Sequence, residues 1–373
     1  MRRASARPGF AAALAVCMLA AVAGLAVASF YSVVEARRSA HRARRQEQAA
    51  GAADAALFRF LATWDDPRRD SLAIGRTDSS SGDPGGRDSV KARVFVTRIT
   101  DRLFWLTSAG GAASGTSAAA SRVHHLLLEV RQPTILARAA LTSRGAVLAG
   151  IGAQIVGGDA PPPEWTDCAA ADTGSAPAVL VPEAGVARFD DGAPIPNTLA
   201  DSGAGTPATY ELLGRVSTAS LAARADITLA PGAILSPAPD SDADCRRGGT
   251  ATPGSWGEPV RAGRSEGCER FYPVVHAAGD LTVTGGRGQG VLLVSGRLRV
   301  EGPFLFYGVV IASGAVVVSG PDVRAYGAIL SAAEGVTWRA GGELRRSTCA
   351  VGRVAQAAAK AYPVPLRPWA ELF

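Results

Sequence analysis

The 373-residue sequence is short of charge and of chemical signatures. Asp, Glu, Lys and Arg make up 19% of it, which argues against a helical bundle laced with surface ion pairs. No CxxC pair occurs, so the usual cysteine spacing of a zinc site is missing. No GxSxG, no HExxH, no P-loop and no Ser-His-Asp arrangement is present, which leaves hydrolase, metalloprotease and nucleotide chemistry without a motif. The net charge of +6 has no aromatic interleaving or groove-reading motif beside it, so nucleic acid is not an expected partner. What is present is 47% hydrophobic content with 43 glycines and 23 prolines, the composition of a globular chain rich in turns and short strands.

The basic residues have a clear place. Arg2, Arg3 and Arg7 precede an uncharged run from Gly9 to Val34, and Arg37, Arg38, Arg42, Arg44 and Arg45 follow it. As a helix, Phe10 to Tyr31 would rise roughly 33 Å, enough to cross a hydrocarbon layer of about 30 Å. Three readings stand open: an uncleaved anchor, a leader cut before the helix, and a secretory signal, for which Ala26-Val27-Ala28 offers small residues before Ser29. Beyond the run, Ala49, Ala53, Ala56/Leu57 and Phe60/Leu61 recur at helical spacing, so the helix is expected to continue as an amphipathic arm to about Thr63.

A basic leader ending in Gly9, followed at once by Phe10 and an apolar helix, resembles the processing site of type IV prepilins and secretion pseudopilins. The Arg- and Ala-rich continuation resembles the amino-terminal segment of PilX-type accessory pilins, and the likeness covers about sixty residues. The resemblance implies that Gly9 and Phe10 are the processing residues. It also implies partners: prepilin peptidase, the membrane, and other pilin or pseudopilin subunits reached through the amino-terminal helix. Leu14 stands at the fifth mature position, where major pilins carry Glu, which suits an accessory subunit. The expected location is a single-pass inner-membrane protein with its carboxy-terminal part exported.

Cysteine usage agrees with export. Cys168, Cys245, Cys268 and Cys349 lie beyond the apolar run and allow three connectivities. Cys245 with Cys268, which closes a loop of about two dozen residues, and Cys168 with Cys349 are the expected pairs. Two further candidates fail on chemistry. "DSDADC" at Asp240–Cys245 alternates acids like a calcium loop, but Cys245 and Ala251 stand where Gly and a bidentate Glu are needed. His124 and His125 are adjacent on an expected strand and so point to opposite faces.

The strongest pattern is a repeat. "AGDLTVTGG" from Ala278, "SGRLRVEGP" from Ser295 and "SGAVVVSGP" from Ser313 align, and "GVLLV" from Gly290, "GVVIA" from Gly308 and "GAILS" from Gly327 follow at 18 and 19 residues. A fixed short period through two kinds of strand predicts a parallel stack, with Leu281/Val283, Leu298/Val300 and Val316/Val318 inward and Thr282, Arg299 and Val317 outward. "RGAVLAG" (Arg144–Gly150) resembles a further coil. An antiparallel sandwich is the other architecture with short Gly-bounded strands.

The fold expected is therefore α+β and mainly β, a long membrane-spanning helix followed by a small meander and a right-handed β-helix-like solenoid. In order, the segments are a leader (1–9), helix (10–63), linker (64–89), meander with first coils (90–158), a loop-rich disulfide-linked region (159–270), solenoid coils (271–345) and a tail (346–373). Asp280, Arg297, Arg299, Glu301, Asp322 and Arg324 are the charged residues on the coils, and Glu301 and Asp322 differ in phase, so no acid–base pair is evident. A non-enzymatic filament subunit with no cofactor or metal is expected. The alternatives are an anchored or secreted β-helix that binds or cleaves polysaccharide, and a bactofilin-like polymerising scaffold, against which the exported cysteines stand.

Overall fold

The computed structural model describes residues 9–62, 72–82, 90–114, 117–168, 176–239, 245, 252–260, 266–332, 335–339 and 341–364. The leader before Gly9 and Asp240–Asp244 of the acidic run lie outside them. Two compact units divide the chain, the smaller holding the described residues up to Leu128 together with Val364, the larger those from Glu129 to Pro363.

In the smaller unit the long apolar run and its amphipathic continuation form one helix, α1 (Gly9–Ala62). Its second half buries Ala49, Ala52, Ala53, Ala56, Leu57 and Phe60, the stripe that the helical period demands. That stripe packs on a sheet of β1 (Thr77–Gly82), β2 (Val90–Arg98), β3 (Leu103–Ser114) and β4 (Ser117–Arg131), in that order, with β1–β2 and β2–β3 antiparallel. Ala92, Val94, Val96, Phe104, Leu106 and Leu128 are the buried alternate positions of the strands. The small helix residues allow a close approach. A Cβ on Gly110 would stand 2.0 Å from the Ala49 carbonyl oxygen, and the Ser108 hydroxyl donates to the Ala53 carbonyl at 2.7 Å. Strand β1 lies in the stretch expected as a linker. Its ladder needs only backbone groups, so an edge strand of Thr, Asp, Ser and Gly shows no apolar alternation.

The larger unit is built on two parallel sheets. The first holds β5 (Leu141–Ser143), β8 (Val179–Val181), β10 (Thr198–Ala200), β13 (Ile227–Leu229), β15 (Val274–Ala277), β17 (Gly286–Val294), β19 (Phe304–Ala312) and β21 (Arg324–Ser331). The second holds β6 (Ala146–Ala149), β9 (Ala187–Phe189), β14 (Ala233–Leu235), β16 (Leu281–Val283), β18 (Leu298–Val300), β20 (Val316–Val318) and β22 (Gly335–Trp338). Two more strands, β7 (Gln154–Val156) and β23 (Glu343–Arg346), pair beside β21, and β11 (Leu212–Leu213) and β12 (Val216–Ser217) make a separate hairpin. The parallel pairing throughout both sheets rules out the antiparallel sandwich.

From β13 to β22 the chain alternates between the sheets, and each return stacks one strand further along. Val300 sits between Val283 and Val318, and the middle residues Thr282, Arg299 and Val317 face out, the register expected from the repeat. The stack then continues with strands from much earlier in the chain. β21 pairs β5, β22 pairs β6, and β8 and β9 follow. Thus "RGAVLAG" does carry a strand of the stack, and the region expected as loops contributes β8, β9, β10, β13 and β14. Three-residue strands are too short to display a period, which is why their residues look like loop. The Gly-rich stretch Gly286–Gly290 opens strand β17.

Inward residues of the two sheets form one core, with Leu292, Val310 and Ile329 from the first and Leu281, Val300, Val318 and Trp338 from the second. The first sheet is also buried on its other side. Val291, Leu293, Val309, Ile311, Ala328 and Leu330 pack there with Trp165, Tyr210 and Leu221 and with a helix, α2 (Thr348–Ala357), through Ala350, Val351, Val354 and Ala355. That helix lies in the segment expected as a tail. The Ser347 hydroxyl accepts from the Ala350 amide, and the Asp159 carboxylate accepts from both the Thr348 amide (2.7 Å) and hydroxyl (2.6 Å), so its first turn is capped twice.

Candidate functional site

The exposed surfaces of the described residues include two with a regular pattern of side chains. The first is the amino-terminal half of α1. Leu14, Val16, Met18, Leu19, Val22, Leu25, Val27, Phe30 and Tyr31 are each at least half exposed, and α1 is long and apolar enough to cross a membrane, with a mean hydropathy of 2.4 over its most apolar 18 residues. Gly9 is the first residue of this helix and Phe10 the second, and the helix passes through Ala26–Ala28 and Ser29 without a break. Cys17, on the same segment, is a free cysteine.

The second surface is the outer face of the second sheet. Three-residue strands present one outward side chain each, and the ladder pairs them in register: Ile234 with Thr282, Thr282 with Arg299, Arg299 with Val317. The row continues from Val317 to Thr337, Leu148 and Arg188. Ile234 is 72% exposed and Leu148 41%, Arg299 and Arg188 are exposed too, and Thr282, Val317 and Thr337 are half-buried. Strands in one sheet stand about 4.8 Å apart, which makes this a flat, regularly spaced surface. Its chemistry is mixed, with apolar, hydroxyl and guanidinium groups alternating.

The charged residues singled out on the coils do not converge. The Asp280 carboxylate accepts from the Arg297 amide at 2.7 Å, Arg299 pairs with Glu301 at 3.7 Å, and Asp322 occupies a left-handed turn position with φ 52°. His124 faces α1, where Nδ1 meets the Asp54 carboxylate at 2.5 Å, while His125 faces the other way, its ring 5.3 Å from that of Trp105. Among the described residues no group of three His, Cys, Asp or Glu is placed to hold a metal ion.

The disulfides join Cys245 to Cys268 and Cys168 to Cys349, the pairs named from the sequence. The second ties α2 to the segment of Trp165, whose ring meets Tyr272 and Tyr307 edge-on at 5.6 and 5.5 Å and lies under the Arg353 guanidinium. Arg353 is held in turn by Asp167 at 2.9 Å. Burial, with the Glu164 carboxylate adding to it, raises the Tyr307 phenol above its ordinary value, and burial does the same to Tyr326 beside Glu343. These groups lie inside the cover of the first sheet. No protein-family model matches the chain, and neither a curated protein nor a solved structure is significantly similar to it.

Proposed function

We propose that the chain is a PilX-type accessory pilin or pseudopilin, with α1 held in the inner membrane and then packed into a filament, and a β-rich head exported. The observation that carries this reading is a single 54-residue helix that begins at Gly9, exposes its apolar first half and packs its second half on a meander sheet. Two disulfides in the larger unit support an oxidising compartment for the head. The two parallel sheets, with the chain alternating between them, are in this reading the walls of a right-handed β-helix-like solenoid. The head is non-catalytic, and the uncovered row from Ile234 to Arg188 is the face it presents to a surface or to neighbouring subunits.

The mature amino terminus tests the proposal. Phe10 is expected in cells with prepilin peptidase, and Gly9→Val should leave the full-length chain unprocessed. A mature terminus at Ser29 would make the protein a secreted one and refute the pilin reading, and Met1 would make it a plain anchor.

A further inference from the structure

The arginines that follow the apolar run sit on one side of α1. At about 100° per residue, Arg44, Arg37, His41, Arg45, Arg38 and Arg42 fall in that angular order within a face of about 160°. Ala40, Ala43, Gln46 and Glu47 occupy the remaining arc. Arg37, Arg38, Arg42 and Arg44 are exposed, and Arg37, Arg42 and Arg44 make no ion pair among the described residues. The acid at the edge of the face, Glu35, is engaged by Arg38 at 3.8 Å.

Position gives this face its meaning. The uncharged run ends at Val34, so the arginines begin about 4.5 Å beyond it and end about 16 Å beyond it along the axis. The headgroup layer beyond the hydrocarbon is roughly 5–8 Å deep. Helical side chains tilt towards the amino terminus, so each long guanidinium stem leans back towards the end of the apolar segment. Orientation does not account for the cluster. Three arginines precede the run and five follow it, a bias that favours keeping the following segment in the cytoplasm, opposite to what the disulfides require. A cluster that opposes export needs a counter-charge on the exported side. The basic groups are guanidinium forks rather than ammonium groups, and these match phosphate oxygens two at a time.

We propose that this arginine face binds the phosphate groups of anionic phospholipids in the leaflet next to the head, holding α1 at a fixed depth before it leaves the membrane. The proposal rests on the membrane-spanning reading of α1.

The test uses the full, disulfide-intact chain diluted from detergent into a mixture of two distinguishable vesicle populations, phosphatidylcholine alone and phosphatidylcholine with phosphatidylglycerol, followed by flotation. The wild type should partition at least about tenfold towards the anionic vesicles, less so as salt rises. The variant Arg37→Gln/Arg38→Gln/Arg42→Gln/Arg44→Gln should float equally with both. A wild type without preference, or a variant that keeps it, overturns the inference while leaving the span intact. Failure to float with either population refutes the span itself. Inorganic phosphate should erode the preference more than chloride of equal ionic strength, and equal erosion by both would reduce the face to unspecific charge attraction, which overturns the phosphate reading. Capture of a polyglutamate peptide by a wild type that shows no lipid preference would assign it to an acidic protein partner, which also overturns the proposal.

Discussion

The two parallel sheets of the larger unit share one core and one stacking direction, yet they finish differently. The central strands of the first sheet are eight or nine residues long and buried on both faces, as the strings of Val, Leu and Ile in β17, β19 and β21 require. Those of the second are three or four residues long and buried on one face. The difference lies in what covers them. The first sheet is closed by α2, Trp165 and Tyr210, which come from outside the repeat, whereas the second is left to solvent. Of the two outer faces, the row from Ile234 to Arg188 is the more exposed.

The largest effect that would test this contrast is a charge placed under the cover. Val309, fully buried on the α2 side of β19, and Val300, buried in the shared core, should each cost at least about 3 kcal/mol when replaced by Asp, because an unpaired carboxylate would be taken out of water. Thermal unfolding of the full chain in mild detergent measures both. If Val309→Asp is tolerated while Val300→Asp is not, the first sheet is not truly covered and the comparison fails.

Removing the Cys168–Cys349 disulfide by a double serine substitution should cost about 2–4 kcal/mol, since it closes a loop of 181 residues and ties the cover down. The expected accompaniment is binding of a hydrophobic dye and faster amide exchange in β17, β19 and β21, with β18 and β20 unchanged at first. Equal exchange in both sheets would mean that the cover and the stack unfold as one.

Gly308→Ala addresses the backbone of the covered sheet. Gly308 has φ 143°, and a Cβ there would stand 2.0 Å from the carbonyl oxygen of Gly290, its partner in the ladder. A loss of about 2 kcal/mol is expected from the strained conformation and the forced separation of β17 from β19. A variant as stable as wild type by the same unfolding assay would show that the rungs can move apart freely.

How much of this was legible in the sequence follows from the same contrast. The second sheet was readable because each phrase around Leu281, Leu298 and Val316 repeats both its alternation and its corner glycines, so register, inward residues and outward residues all followed. The helical stripe from Ala49 to Phe60 was readable for a similar reason. The double burial of the first sheet was not, because a continuous apolar run such as "GVLLV" fits one buried face or two. Its cover was present in "TCAVGRVAQAAA", where Ala350, Val351, Val354 and Ala355 keep helical spacing, but the pattern is built largely of alanine and followed the repeat like a tail. Least legible was the order of the stack, in which β21 meets β5 across about 180 residues of chain. Pairing between distant segments leaves no trace in local periodicity. For the candidate site, the apolar span and Gly9–Phe10 were visible as a pattern, while the row from Ile234 to Arg188 needed the ladder to bring its members together.

The smallest effect is the sharpest test of the bare face. Arg299 stands in the middle of the row with its side chain outward, half exposed, and its partner Glu301 is half exposed too, at 3.7 Å. An ion pair in that setting contributes little, because water solvates both groups and salt screens them. Arg299→Asp removes the pair and sets a second carboxylate near Glu301, so a small loss is expected, less than about 0.5 kcal/mol. The neighbouring rungs offer Thr282 and Val317, neither of which depends on the guanidinium for a hydrogen bond or a charge. Stability should therefore hardly move, while any contact the face makes with an acidic or polar surface should weaken. An Arg299→Asp variant that unfolds as readily as Val300→Asp would mean that the second sheet is covered in the assembled protein, and that the row is part of a core.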